Sequence, residues 1–313
     1  MANCGSVSNF VLIFLCLGVG FWLRVTAKMP DSAPKTLNGF VIQLALPAVI
    51  LLEIHTIFRE SRGHLDASLF LPAAMGWIVF GGAAVLFSIL ARTYGWSRGT
   101  RAALIMTAGL GNTSFVGFPL LEWLVGHQSL SIAILADQLG SFLTLSTVGL
   151  LLCASSSEEG AGFKTVMRRL LTFPPFLALI GALVLIPVEF PPGMVSLLQR
   201  LGGTMIPVAL VSAGIQARFP RHLLDRHALP LGLGLGYKLV VAPVLIAILY
   251  YGVFHARGEV PKVSVLEAAM APMVSASVMA MEYDCNPELA NLMVAVGIPL
   301  SLITVPLISM LLP

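Results

Sequence analysis

This sequence has little charge. Only 11% of its 313 residues are Asp, Glu, Lys or Arg, where a soluble domain carries roughly a quarter. With 57% hydrophobic residues and a mean hydropathy of +0.92, a soluble fold would have too little polar surface to cover itself. The net charge of +3 is small and dispersed, which leaves no basic face for nucleic acid. Cysteine is scarce too: Cys4, Cys16, Cys153 and Cys285 form no CxxC and no metal spacing, so they read as buried or loop thiols. The six histidines make no HExxH pair. No Ser/His/Asp or Cys/His set falls inside the apolar stretches, so an enzyme is not expected, and neither is a cofactor or a firm metal site. No polar domain is present that would serve as the output of a sensor. The first apolar run has no Lys or Arg before it and no small-x-small site directly after it. It reads as a retained span rather than a cleaved signal.

In place of these features there are apolar runs of about 20 residues, the length a ~30 Å hydrocarbon layer requires. Ten spans are read, at 8–24, 37–55, 68–91, 100–125, 129–153, 176–188, 194–217, 228–254, 263–283 and 287–312. The expected fold is an all-α membrane protein of ten transmembrane helices. The longest polar interval, 154–169, divides it. The expected domains are a first five-helix repeat over 1–153, a cytoplasmic linker over 154–173 and a second repeat over 174–313. With the N-terminus outside, the inner loops hold twelve Lys and Arg, among them Arg92, Arg98, Lys164, Arg169, Arg218 and Arg221. The outer loops hold five at most, Arg62 and Arg257 among them. The positive-inside rule then puts both termini outside. Five spans per half give the halves opposite orientations, so related halves form an inverted repeat.

One stretch contradicts its surroundings. "AGLGNTSFVGFPLLEW", in span four, places Gly109, Gly111, Asn112, Thr113, Ser114, Gly117 and Pro119 at membrane depth. Proline removes a backbone donor and clashes with the preceding turn, and unpaired backbone groups facing lipid cost several kcal/mol each. Such a break survives only inside protein or beside a watery cavity. Span nine carries a counterpart, "AAMAPMVSASVMAMEYD", with Pro272, Ser275 and Ser277. Spans two and seven match as well, through Pro47 in "LALPAVI" and Pro207 in "TMIPVAL"; these prolines suit either a packing kink or a hinge. For Gly109 and Gly111 alone, close helix packing is the simpler reading. The clustered breaks read instead as a substrate site, because half-helix N-termini favour an anion. Its expected residues are Asn112, Thr113, Ser114, Phe115, Pro272, Ser275 and Ser277, with Gly111, Gly117, Pro119, Pro47 and Pro207 making the breaks.

"GNTSFVGFPLL" resembles the Asn-x-x-Phe-x-Gly-x-Pro-Leu signature of the auxin efflux carrier family of transporters. "ILADQLGSF" and "MAMEYDCNPELANLMVAVGIPLSLITVPLISMLL" are similar to that family too, and the layout matches along the whole chain. The short central loop is like that of bacterial members. The resemblance implies scaffold and crossover domains, each drawn from both repeats, with spans four and nine crossing at the centre. It also implies carriage of organic anions such as auxin, malate or malonate, in the bacterial inner membrane, by alternating access of elevator or rocking type. Asn112 fits the family's polar crossover position, and Pro119 with Leu120 its Pro–Leu pair. Span nine departs from the pattern, offering Ser275 and Ser277 where many members place an Asn.

Few ionisable residues lie well inside the spans: Asp137 beside Gln138, Lys238 and Glu267. Intramembrane charges are functional candidates by default. Asp137 could take a proton, bind a cation or steady the break; Lys238 could neutralise an anion, pair with an acid or snorkel. "EAAMAP" resembles a stretch of the sodium-coupled bile acid transporters, distant relatives in which the Glu helps bind sodium. That leaves Na+ at Glu267 and Ser114, or H+, as open coupling alternatives. The rival readings are a sodium symporter of a bulkier amphipathic anion and, from another class, a ligand-sensing membrane protein or a channel. The expected partners are a small organic anion and the lipid bilayer, with a homodimer left open.

Overall fold

The computed structural model of the chain describes residues 3–30, 32–60, 70–156, 168, 171–216 and 225–313. Arg62, Lys164, Arg169, Arg218 and Arg221, which weigh in the loop-charge count, lie outside the described residues, as does most of the expected linker. Among the described residues every regular element is helical. The order begins α1 (Asn3–Val25), α2 (Ala33–Phe40), α3 (Leu46–Glu60), α4 (Phe70–Tyr94), α5 (Arg98–Gly109), α6 (Phe118–Leu124), α7 (Ser129–Leu135) and α8 (Leu150–Ser156). It continues with α9 (Pro174–Val184), α10 (Pro192–Gly202), α11 (Met205–Gln216), α12 (Ala228–Gly236), α13 (Ala242–Ala247), α14 (Glu259–Ala268), α15 (Val274–Glu282) and α16 (Pro287–Leu311).

Six continuous helical runs are long and apolar enough to cross a membrane: Thr36–Thr56, Phe70–Tyr94, Ser129–Ser156, Pro192–Ser212, Ala228–Val253 and Pro287–Leu311. The chain is a multi-pass membrane protein. Two further apolar stretches, 98–124 and 259–282, are helical at both ends and broken between.

Three prolines of the apolar stretches share one arrangement. Pro47, Pro119 and Pro243 are each the second residue of a helix that follows a five-residue π-helical turn, at Val41–Ala45, Thr113–Gly117 and Tyr237–Val241. A proline ring has no N–H to give and crowds the carbonyl four residues back. The wider π turn gives that ring room, so the run continues through it. Pro207 sits instead in the first turn of α11, where a missing donor costs little.

Two apolar clusters form the interior. One gathers α4, α5, the run from α12 through α13, and part of α16. The other gathers α1, α3, α9 and α11 against α6, α7 and the two breaks. Small residues set the closest approaches. A Cβ on Gly20 of α1 would meet the Val211 carbonyl oxygen at 2.2 Å, and one on Gly214 of α11 would meet that of Leu17 at 2.3 Å. Gly76 of α4 bears in the same way on the backbone of Gly140, in the π-helical segment Ala136–Phe142. With lipid tails as apolar as leucine, such contacts hold helices together by dispersion rather than by the exclusion of water.

Candidate functional site

The two breaks meet. α5 stops at Gly109, the chain runs extended through Leu110 to Asn112, and helix resumes at Thr113. α14 stops at Ala268 and helix resumes at Val274. Gly111 and Pro272 face each other in an antiparallel bridge. The Asn112 N–H donates to the Ala271 carbonyl at 2.7 Å, and the Met273 N–H donates to the Leu110 carbonyl at 3.0 Å. Each break therefore supplies the hydrogen bonds the other lacks. This answers the backbone accounting that lipid imposes, and explains how Gly, Asn and Pro persist at this depth.

The helix that follows the first break starts on a side-chain cap. Asn112 Oδ1 accepts from the Phe115 N–H at 3.2 Å. That contact fixes which way round the amide lies, because only the oxygen can accept. Asn112 Nδ2 is left buried with no hydrogen-bond partner. Next to it, the Asp137 carboxylate gathers three donors: the Thr113 and Ser114 hydroxyls through Oδ1, and Gln138 Nε2 through Oδ2 at 2.6 Å. The acceptor again fixes the amide, and Gln138 Oε1 is left buried and unpartnered. Asn112, Thr113, Ser114, Asp137 and Gln138 are all buried.

These five residues border a cavity of about 50 Å³, together with Phe115, Met273, Val274 and Ser275. The N-terminal turns of the helices that follow both breaks therefore open onto it. Its apolar wall comes from elsewhere, with Ile42 and Leu46 around the first π turn and Phe142 stacked on Phe173 at a centroid distance of 3.8 Å. Those four residues carry no polar signal in the sequence. Only the Pro174–Pro175 pair after Phe173 marks its neighbourhood as a helix start.

The other candidate residues lie around the cavity rather than on it. Pro272 packs its ring against Gly297 of α16, where a Cβ would come within 2.3 Å of the proline Cδ. Ser277 is buried two residues beyond Ser275 on α15, about half a turn away. Gly117 bears on the carboxylate of Glu267, and Gly111 on the ammonium of Lys238. Lys238 Nζ donates to the Ala268 carbonyl at 2.9 Å. Pro119, Pro47 and Pro207 lie in helix first turns, as described above. In span nine no amide stands where Ser275 borders the cavity.

Apolar helices, broken twice at depth and joined at the breaks beside a small cavity that polar side chains border on one side, are the features of a membrane transporter. The family described as Membrane transport protein matches residues 6–309, and the chain belongs to this, the auxin efflux carrier family. It is 28% identical over 316 residues to an "Uncharacterized transporter" of Methanothermobacter thermautotrophicus, covering 100% of both chains. It is 24% identical over 311 residues, 96% of each chain, to another protein of that description from Methanocaldococcus jannaschii. These relatives are named as transporters, not as enzymes.

Proposed function

We propose that this chain is a secondary transporter that carries a small organic anion, a carboxylate, across the membrane by alternating access. The substrate carboxylate sits where spans four and nine cross. In this reading the two broken stretches, α1, α9 and the six continuous runs are ten spans, arranged as two inverted five-span repeats. The first apolar cluster belongs to the moving crossover unit, and α1, α3, α9 and α11 to the scaffold. Both termini face outward from a plasma membrane, the bacterial inner membrane by the shortness of the central loop.

One observation carries the reading. The N-terminal turns after both breaks open onto one cavity, and Asn112 Nδ2 beside it is a buried donor with no partner. Buried donors are nearly always satisfied, and a donor at a helix N-terminus favours an anion.

Counterflow in proteoliposomes, run against a panel of small carboxylates, tests the function. A saturable exchange is expected, and Asn112→Ala lowers it without lowering expression. Flux that never saturates marks a channel, and normal exchange by Asn112→Ala removes the crossing as the substrate site.

A further inference from the structure

Part of the crossing does not border the substrate cavity: neither Lys238 nor Glu267 lines it. α5 and α14 both end there, and each helix C-terminus carries roughly half a negative charge. Lys238, on the π turn Tyr237–Val241, reaches in between them. Its Nζ donates to the Ala268 carbonyl, the last residue of α14, at 2.9 Å. The same nitrogen stands 3.0 Å from where a Cβ on Gly111 would be, two residues beyond the end of α5. Lys238 is 1% exposed and Glu267 fully buried. Neither carboxylate oxygen of Glu267 has a hydrogen-bond partner.

An ordinary structural ion pair would place the ammonium on the carboxylate. Here the ammonium sits on a helix-end carbonyl, with the carboxylate beside it and unsatisfied. Carbonyl oxygens at broken-helix C-termini together with a carboxylate are the surroundings that a small hard cation takes. We propose that the Lys238 ammonium holds the place of a coupling cation, so that this carrier needs no sodium. The inference rests on the crossing being the transport site, and it assigns the cation side of that site to the chain itself. It also accounts for Gly111, whose missing Cβ leaves room for the ammonium.

The first arm of the test needs no substrate. Melting temperatures of the purified full-length protein are compared in sodium chloride and in N-methylglucamine chloride at equal ionic strength. Wild type melts alike in both. Lys238→Ala, with the pocket vacated, gains several degrees from sodium, and Lys238→Ala/Glu267→Gln loses that gain. Lys238→Ser, which also vacates the pocket, serves if the alanine variant does not fold. Counterflow by wild type is measured in parallel and proceeds unchanged without sodium. Sodium stabilisation of wild type that vanishes in Glu267→Gln overturns the proposal, as does a sodium requirement for counterflow. A folded Lys238 variant indifferent to sodium overturns it too. None of these results bears on Asn112→Ala, whose normal exchange would remove the substrate site instead.

Discussion

Gly117 lies directly against the carboxylate of Glu267: a Cβ at this glycine would stand 2.8 Å from Oε2 and 3.2 Å from Oε1. The contact joins the helix after the first break to the helix before the second. It is held entirely by buried atoms, so neither side can move into lipid or water to relieve a clash.

Gly117→Ala therefore overpacks this contact and costs about 1–3 kcal/mol of stability. Thermal unfolding in detergent reads it. Glu267→Ala removes the atoms that the new methyl meets, so the double variant loses less than the sum of the two single losses. Strict additivity would place the clash elsewhere.

In the proposed function Asn112 has two tasks, capping through Oδ1 and meeting the substrate through Nδ2, and Asn112→Ser separates them. A serine hydroxyl caps a helix about as well as an asparagine, so the cap on the Phe115 N–H, worth about 1 kcal/mol, persists. The change removes the unpartnered Nδ2 and adds no charge beside Asp137. A hydrogen bond to a charged group contributes ~1.5–3 kcal/mol, so carboxylate counterflow falls about tenfold or more while the melting temperature changes little. Retained transport in this variant would mean that Nδ2 never meets the substrate.

Asp137 is the common acceptor of Thr113, Ser114 and Gln138. Asp137→Ala strands three buried donors, at about 1–3 kcal/mol each. Its loss of melting temperature should exceed that of Thr113→Val or Ser114→Ala. Adding both of those substitutions to Asp137→Ala should restore part of the loss, because no hydroxyl is then left without an acceptor. If the combined variant melts lower still, Asp137 steadies the break by some other means.

The positions of both breaks are legible in the sequence because their signals are local. Gly111, Asn112 and Pro272 disfavour helix wherever they stand. The limits of the long runs are legible for the same reason, with Ser97 and Asn286 capping α5 and α16. What is not legible depends on distant pairing. Nothing near Gly111 announces that it will face Pro272, or that Asp137 will turn its carboxylate onto Thr113 and Ser114 rather than outward. Ser275 and Ser277 look equivalent in the sequence, yet only Ser275 borders the cavity. Lys238 in an apolar run reads equally well as a side chain stretching to the interface; its contact with Ala268 depends on where α14 ends. The apolar wall of Ile42, Leu46, Phe142 and Phe173 leaves no trace, since leucine and phenylalanine occur throughout such a chain.

The hydrogen bonds between the breaks also bear on how the protein is made. During synthesis the ribosome releases Leu110 and Asn112 long before Ala271 and Met273 exist. Until the last spans arrive, the first break carries a free carbonyl and a free N–H that lipid cannot satisfy. The nascent first half must keep that segment in the insertion machinery, or beside water, and neither half expressed by itself has a partner for its own gap. Co-expressed halves should rescue each other where each alone is degraded.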